Sequence, residues 1–213
     1  VKNYRQQLDS AQWQDGKITA GGQAFHVKNN QQVENFNDIA LKLGQEILQT
    51  LSAHPVFISA ALPKKIFPPK FNRYRGGGHY GLHVDNAIMH LPDHQMMRTD
   101  ISATLFLSEP DEYEGGELII ETDYGIQEVK LNAGDMILYP ATSLHEVKPV
   151  TDGTRVCSFF WVESMIRGSQ QREMLYDLDQ SIQVLSGERG SDDPEVRRLA
   201  GIYHNLIRRW ATS

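Results

Sequence analysis

The stretch GDMILYPATSLHEVKPVTDGTRVCSFFWV, residues 134–162, holds three short runs rich in β-branched and aromatic residues, DMILYP, LHEVKPV and TRVCSFFWV, parted by turn residues. Such runs read as strands, in which alternate side chains share a face, so Arg155, Cys157, Phe159 and Trp161 fall on one side of the third. Working outward, VFISAAL (56–62), ISATLFL (101–107), GELIIE (116–121) and QEVKL (127–131) have the same character. Asp123-Tyr124-Gly125 separates two of these runs, and Thr151-Asp152-Gly153-Thr154 puts an Asp-Gly pair at an expected hairpin tip. Strands this short and numerous predict a mostly antiparallel barrel or two-sheet jelly roll of roughly eight strands.

Helical spacing flanks the β region. From Gln32 to Ala53 apolar residues recur every three or four positions, at Val33, Phe36, Ile39, Ala40, Leu43, Ile47, Leu48 and Leu51, which predicts one helix ended by Pro55. Beyond residue 163, Met174, Leu175, Leu178, Ile182 and Leu185 mark a second helix, and Val196, Leu199, Ile202, Leu206 and Trp210 a third. Asp193 followed by Pro194 suits the start of that third helix. The expected class is α+β with a mainly β core over 1–163 and a helical extension, 164–213, packed on it.

The 213 residues carry a net charge of −6, which argues against a polyanion-binding surface, so nucleic acid is not an expected partner. The longest apolar run, VFISAAL, falls far short of the about 18 residues that cross a bilayer, and no charged-then-apolar leader opens the chain. The single Cys157 cannot form an internal disulfide, which fits a reducing, cytoplasmic setting.

The chemistry concentrates in HYGLHVDN, residues 79–86. On a strand His83 and Asp85 present an imidazole and a carboxylate on one face, and His145 in LHEVKPV supplies a third ligand candidate. Two imidazoles and one carboxylate form the facial triad that suits Fe(II) and leaves three positions open. A closed structural zinc site would more often use thiolates. Arg155, ten residues after His145, needs an anion if buried, because its charge cannot be given up. Glu117 or Glu121 could fill that role, as could a dicarboxylate whose other end chelates iron.

The ordered set HVD (83–85), EGGELII (114–120), GDMILYPATSLHEVKPV and TRVCSFFW resembles the prolyl-4-hydroxylase-like branch of the iron and 2-oxoglutarate dioxygenases. RYRGGGHYGLHVDN (73–86) and TAGGQAFHVKNNQQ (19–32) are most similar to the bacterial PKHD-type hydroxylases. That resemblance implies a double-stranded β-helix in which His83, Asp85 and His145 hold Fe(II) and Arg155 pairs the distal carboxylate of 2-oxoglutarate. It implies O2 as co-reactant, succinate and CO2 as products, a peptidyl (prolyl among the candidates) or small-molecule substrate, and ascorbate (vitamin C) as a candidate reductant. Tyr74 matches a family tyrosine whose hydroxyl reaches the cosubstrate. Phe106 stands where related prolyl hydroxylases carry a second tyrosine, with Thr104 as a candidate substitute. Trp161 matches an aromatic near the pocket.

His79 has the parity of His83 and so is a candidate for the pocket wall, while MHLPDHQMMR (89–98) reads as a loop or lid. Lys64, Lys65, Lys70, Arg73 and Arg75 are a basic run that could steer an anion toward the mouth, and Gly76, Gly77 and Gly78 read as a flexible rim rather than a phosphate loop. His26, His54 and His204 are expected in surface or capping roles, and the C-terminal helices are candidates for homo-oligomer contacts. The rival readings are an iron-binding or iron-sensing module without catalysis and a cupin-like metal enzyme that binds no 2-oxoglutarate.

Overall fold

The computed structural model describes residues 1–19, 24–34 and 37–212. In chain order it begins with α1 (Lys2–Asp9), β1 (Trp13–Asp15), α2 (Ala24–Val27), β2 (Lys28–Asn29), β3 (Gln31–Val33), α3 (Asp38–Ser52) and α4 (Pro55–Ala61). Then come β4 (Pro63–Ile66), β5 (Lys70–Tyr74), β6 (His79–His83), β7 (Ile88–His90), β8 (Met96–Arg98), β9 (Ile101–Phe106) and β10 (Tyr113–Gly115). The rest is β11 (Leu118–Thr122), β12 (Gly125–Val129), β13 (Met136–Pro140), β14 (His145–Val147), β15 (Val150–Gly153), β16 (Arg155–Ser164), α5 (Ser169–Arg189) and α6 (Pro194–Trp210).

Most strands form two antiparallel sheets, one ordered β1-β3-β5-β16-β9-β13 with β4 also on β16, the other ordered β12-β11-β14-β6-β2, while β7-β8 and β10-β15 are separate pairs. This is the jelly roll that the strand runs predict. β16 shows how the layers separate. Its even positions Val156, Phe160 and Val162 pack with Leu43, Ile47 and Leu51 of α3, Phe57 and Ala61 of α4, and Phe71 of β5. Each of the larger side chains contributes about 1.5–3 kcal/mol by leaving water, so this layer clamps the helices to the back of the larger sheet. The odd positions of β16 turn the other way, toward a cavity between the sheets.

Three local expectations differ from the fold. VFISAAL is not a strand: His54 caps Phe57 N–H through Nδ1, Pro55 occupies the first helical turn, and Leu62 closes α4 at φ 43°. A short apolar run has no period to tell helix from strand, and the cap and the proline decide it. The first long helix starts at Asp38 instead of Gln32, because Asn37 accepts from the Ile39 and Ala40 amides while Gln31–Val33 pairs with β1 and β5. Phe36 lies outside the described residues, as do positions 20–23 of the family-like stretch 19–32.

The third concerns the Asp-Gly pair. Asp152 and Gly153 end β15, which pairs with β10, so no hairpin tip forms there. Gly153 has φ 70°, and a Cβ on it would stand 2.1 Å from the Glu112 carbonyl oxygen. The segment carries the chain from the smaller sheet at β14 across to the larger sheet at β16, and this passage brings His145 and Arg155 into one cavity. Asp123-Tyr124-Gly125 does join a hairpin, β11 to β12.

At the C-terminus, Asp193 caps α6 through bonds from the Glu195 and Val196 amides. Leu62, Ile166 and Leu175 form a buried cluster with Tyr203, Leu206, Ile207 and Trp210, and Ser59 of α4 donates to Asp179 of α5 at 2.6 Å. Among the described residues no helix is long and apolar enough to cross a membrane.

Candidate metal and cosubstrate site

His83 and His145 stand opposite one another in the β6–β14 pairing, and their ring centroids are 4.2 Å apart. Asp85 follows β6, and its Oδ2 lies 3.8 Å from His145 Nε2. One ligand atom from each of the three residues falls within 4.8 Å of the others. The imidazole orientations are fixed from behind. His83 Nδ1 is 2.7 Å from the Gly81 carbonyl oxygen and His145 Nδ1 is 3.0 Å from that of Ser143. A carbonyl can only accept, so Nδ1 carries a proton in both rings and Nε2 is the nitrogen left to meet a metal.

Neighbours hold the set in place. Ser102 donates to Asp85 Oδ2 at 2.6 Å, the Tyr80 ring stacks on His83 at 3.6 Å, and Tyr139 meets His145 edge-on at 5.1 Å. Burial, with His145 beside it as the second cause, pushes His83 down to about 4, so that imidazole is neutral at neutral pH.

Arg155 lies across the cavity and is fully buried. Its guanidinium sits between Tyr74 and Phe106, at 5.3 and 5.1 Å from their ring centres, and Nη1 reaches Cys157 Sγ at 3.2 Å. Among the described residues Nε and Nη2 make no close hydrogen bond, although the Tyr113 hydroxyl lies near enough to interact with the guanidinium. Glu117 instead lies 3.8 Å from Lys130, and Glu121 is exposed, so neither supplies the anion. Tyr74 pairs with Arg155 in register and its hydroxyl accepts from Asn72 Nδ2 at 3.4 Å. Burial pushes the Tyr74 hydroxyl up, which keeps it a neutral donor.

Between the two ends lies a cavity of about 110 Å³. Thr104 and Trp161 line it, as do the predicted neighbours Tyr74 and Arg155. Phe106 backs Arg155 from outside the lining, and Tyr139, which hydrogen-bonds Thr104, faces inward nearby. His79 is absent from the wall. Val147 and Tyr80 are partners, as are His145 and His83, so β6 spends three steps where β14 spends two. The extra residue is a bulge that reverses the parity read from His79 to His83. His79 instead pairs with Asn29 in register, and its Nδ1 lies 2.9 Å from the Gly77 carbonyl oxygen.

The stretch 89–98 is a β7–β8 hairpin rather than a loop, with His94 in its turn at φ 65°, and it borders the cavity through Met89. The basic run is not one face: Lys64 pairs with Glu163, Lys65 bonds Gln95, Arg73 lies over Trp13, and Lys70 alone lines this cavity. Sequence reading passed over Asn72, Ser102, Tyr80, Tyr139 and Lys28. Period two in KFNRY and ISATLF would have found the first two from Tyr74 and Thr104, whereas Lys28 on the two-residue β2 carries no such signal.

Comparison with known proteins follows the same lines. The model of the 2OG-Fe(II) oxygenase superfamily matches residues 69–163, and that of the PKHD-type hydroxylase C-terminal domain matches 170–212. A PKHD-type hydroxylase of Pseudoalteromonas atlantica is 60% identical over 213 residues, covering 100% of this chain and 94% of its own. Another, of Acidovorax ebreus, is 58% identical over 212 residues, covering 99% of this chain and 93% of its own. Among solved structures, a Trichoplax adhaerens prolyl hydroxylase in complex with a hypoxia inducible factor peptide fragment is similar in fold, with TM-score 0.52 and 13% identity over 82% of this chain and 78% of that one. HygX from Streptomyces hygroscopicus, with nickel, 2-oxoglutarate and hygromycin B bound, gives 0.50 and 12% over 78% of each chain.

Proposed function

Since this chain belongs to the PKHD-type hydroxylases, we propose that it hydroxylates a C–H bond of a peptidyl or small-molecule substrate, with His83, Asp85 and His145 holding Fe(II) and Arg155 and Tyr74 holding 2-oxoglutarate. The donor set suits the metal: two imidazoles whose Nδ1 sides are held by carbonyls and one carboxylate oxygen converge, and no thiolate is among them. Fe(II), 2-oxoglutarate and O2 would supply the oxidation, with succinate and CO2 released. The rest is the work of the protein's own groups.

The observation that carries this reading is the buried guanidinium, two of whose nitrogens make no close hydrogen bond among the described residues and which has phenols and a thiol, with no carboxylate, as its described neighbours. Buried polar groups are rarely left so, and a buried charge without a partner costs several kcal/mol, so the position fits an anion that arrives with the cosubstrate. Tyr74 would add a neutral donor to the same carboxylate. Gly81 and Ser143 fix the imidazoles, Ser102 fixes the carboxylate, and Tyr80, Trp161 and Phe159 keep water from the walls. Thr104, with Tyr139, offers polar contact midway. Ascorbate as reductant and a cytoplasmic setting belong to the same proposal, as does a division into a catalytic unit to residue 163 and a helical extension beyond it.

An iron sensor or a cupin-like enzyme without 2-oxoglutarate would have no use for such an arginine. The test is calorimetric titration of the Mn(II)-loaded protein with 2-oxoglutarate, together with succinate release on adding Fe(II). Binding that disappears in His83→Ala and Asp85→Ala variants of unchanged circular dichroism is expected. Failure of the wild type to bind 2-oxoglutarate would overturn the proposal.

A further inference from the structure

Rings stand on three sides of the Arg155 guanidinium. Tyr74 and Phe106 have their centres 5.3 and 5.1 Å from it. The third ring is Tyr113 of β10, which is 2% exposed and belongs to one buried cluster with Tyr74 and Cys157. Its hydroxyl oxygen is shut off from solvent and makes no close hydrogen bond, while the guanidinium lies within its reach. A phenol that meets a guanidinium can only accept, because arginine carries five N–H donors and no acceptor.

Three features direct that hydroxyl. Tyr113 stands opposite Gly153 in the β10–β15 pairing, within the passage that leads into Arg155. Lys130 Nζ lies 4.2 Å from the centre of the Tyr113 ring and donates to the Tyr113 carbonyl oxygen at 2.8 Å, so one cation fixes both the ring and the backbone that carries it. Gly116, at φ 70°, leaves open the space where phenol and arginine meet. A Cβ there would stand 3.0 Å from Tyr113 Cε2 and 3.1 Å from Arg155 Cδ, so the ring edge and the arginine stem converge on one point.

Tyr113 is not among the residues that line the cavity, so it stands behind the wall and holds a group that faces inward. Holding matters, because a guanidinium on a flexible stem meets a carboxylate through two parallel N–H bonds only when its plane is aimed. Phe106 offers a ring face and no acceptor, and Cys157 Sγ, 3.2 Å from Nη1, fixes one nitrogen alone. An oxygen that accepts from a second N–H stops the fork from turning about that single contact. Thr104 does not serve this end: it is two residues from Phe106 along β9, about 7 Å in a strand, and bonds Tyr139.

We infer that Tyr113 is a positioning residue that accepts from the Arg155 guanidinium and holds its fork in the plane that pairs the distal carboxylate of 2-oxoglutarate, so that it sets the preference for a diacid cosubstrate. This rests on the proposed function and adds to it a residue outside the cavity wall.

The test compares 2-oxoglutarate with 2-oxopentanoate, which keeps the five-carbon chain and the 2-oxo acid but has no second carboxylate. Both are titrated into Mn(II)-loaded protein by calorimetry, and weak binding of 2-oxopentanoate is read from the broadening that Mn(II) causes in its proton spectrum. The quantity of interest is the ratio of the two dissociation constants. Tyr113→Phe removes one oxygen and keeps the ring against Lys130. It should weaken 2-oxoglutarate about tenfold and leave 2-oxopentanoate and Mn(II) within about twofold, so that the preference for the diacid falls about tenfold. Thr104→Val should act on both ligands alike and keep the ratio. An unchanged ratio in Tyr113→Phe, equal weakening of both ligands, or a ratio that falls in Thr104→Val instead would overturn the inference and leave the proposed function standing. So would a Tyr113→Phe variant that does not fold, since the hydroxyl would then serve the core. Absence of 2-oxoglutarate binding in the wild type would sink both.

Discussion

Replacing Arg155 by methionine separates what this residue does for the fold from what it does for the site. Without 2-oxoglutarate the guanidinium is a fully buried charge whose Nε and Nη2 make no close hydrogen bond among the described residues and whose Nη1 reaches the Cys157 sulfur. Methionine has similar length and can keep contact with Tyr74 and Phe106. Exchanging buried ions for apolar groups of like volume is often neutral or stabilising by about 1–4 kcal/mol. For a chain of this size about 2–4 °C accompanies each kcal/mol, so Arg155→Met should melt no lower than wild type and up to roughly 15 °C higher. With 2-oxoglutarate the order should change. At a hundredfold excess over Kd the wild type gains about 2.7 kcal/mol, or roughly 5–10 °C. The variant should gain almost nothing, because losing one partner of a buried charge pair costs about 2–5 kcal/mol of binding, on the order of 30- to several thousand-fold. Thermal melts of Mn(II)-loaded protein, with and without 2-oxoglutarate, read both effects. A variant that melts well below wild type yet keeps the full 2-oxoglutarate shift would refute the reasoning, since the arginine would then be a structural ion and no clamp.

Other perturbations probe the remaining parts. Ser102→Ala removes the 2.6 Å bond to Asp85 Oδ2, and Mn(II) affinity should fall about 10–100-fold while the far-ultraviolet spectrum is unchanged. His83 has its pKa pushed down to about 4 from an ordinary 6.5, so between these values the unfolded chain takes up a proton that the folded one refuses. The metal-free protein should therefore lose stability as pH falls from 6.5 toward 4. His83→Gln should flatten part of that slope in urea titrations, and an unchanged slope would show that His83 is not its source. Gly116→Ala places a Cβ 2.7 Å from Val150 Cγ2 and 3.1 Å from Arg155 Cδ at φ 70°. It should cost about 1–3 kcal/mol for the backbone and a similar amount for the overlap, read from the urea midpoint, and should weaken 2-oxoglutarate binding by displacing the arginine.

Where the sequence was legible, period two is the reason. In TRVCSFFWV the pleat sorts Arg155, Cys157, Phe159 and Trp161 from Val156, Phe160 and Val162, and the two sets do face the cavity and the helices respectively. The same rule misled at His79, because one inserted residue between Tyr80 and His83 inverts every face before it. It was silent for VFISAAL, where a capping histidine and a proline outweigh β-branched content. Bulges and caps are set by tertiary partners and single hydrogen bonds, which a pattern of apolar residues does not record.

The two long walls of the cavity differ in the same way. The Arg155 wall comes from one ten-residue strand, so its members announce one another by spacing. The lysine wall joins Lys28, on a two-residue edge strand, to Lys70, forty-two positions later on a strand of the other sheet. No interval in the sequence links them; only the closing of one sheet over the other brings two cations together at the mouth. Residues that fix the shared chemistry can lie on long regular strands, where geometry is stiff and register exact enough to aim a ligand.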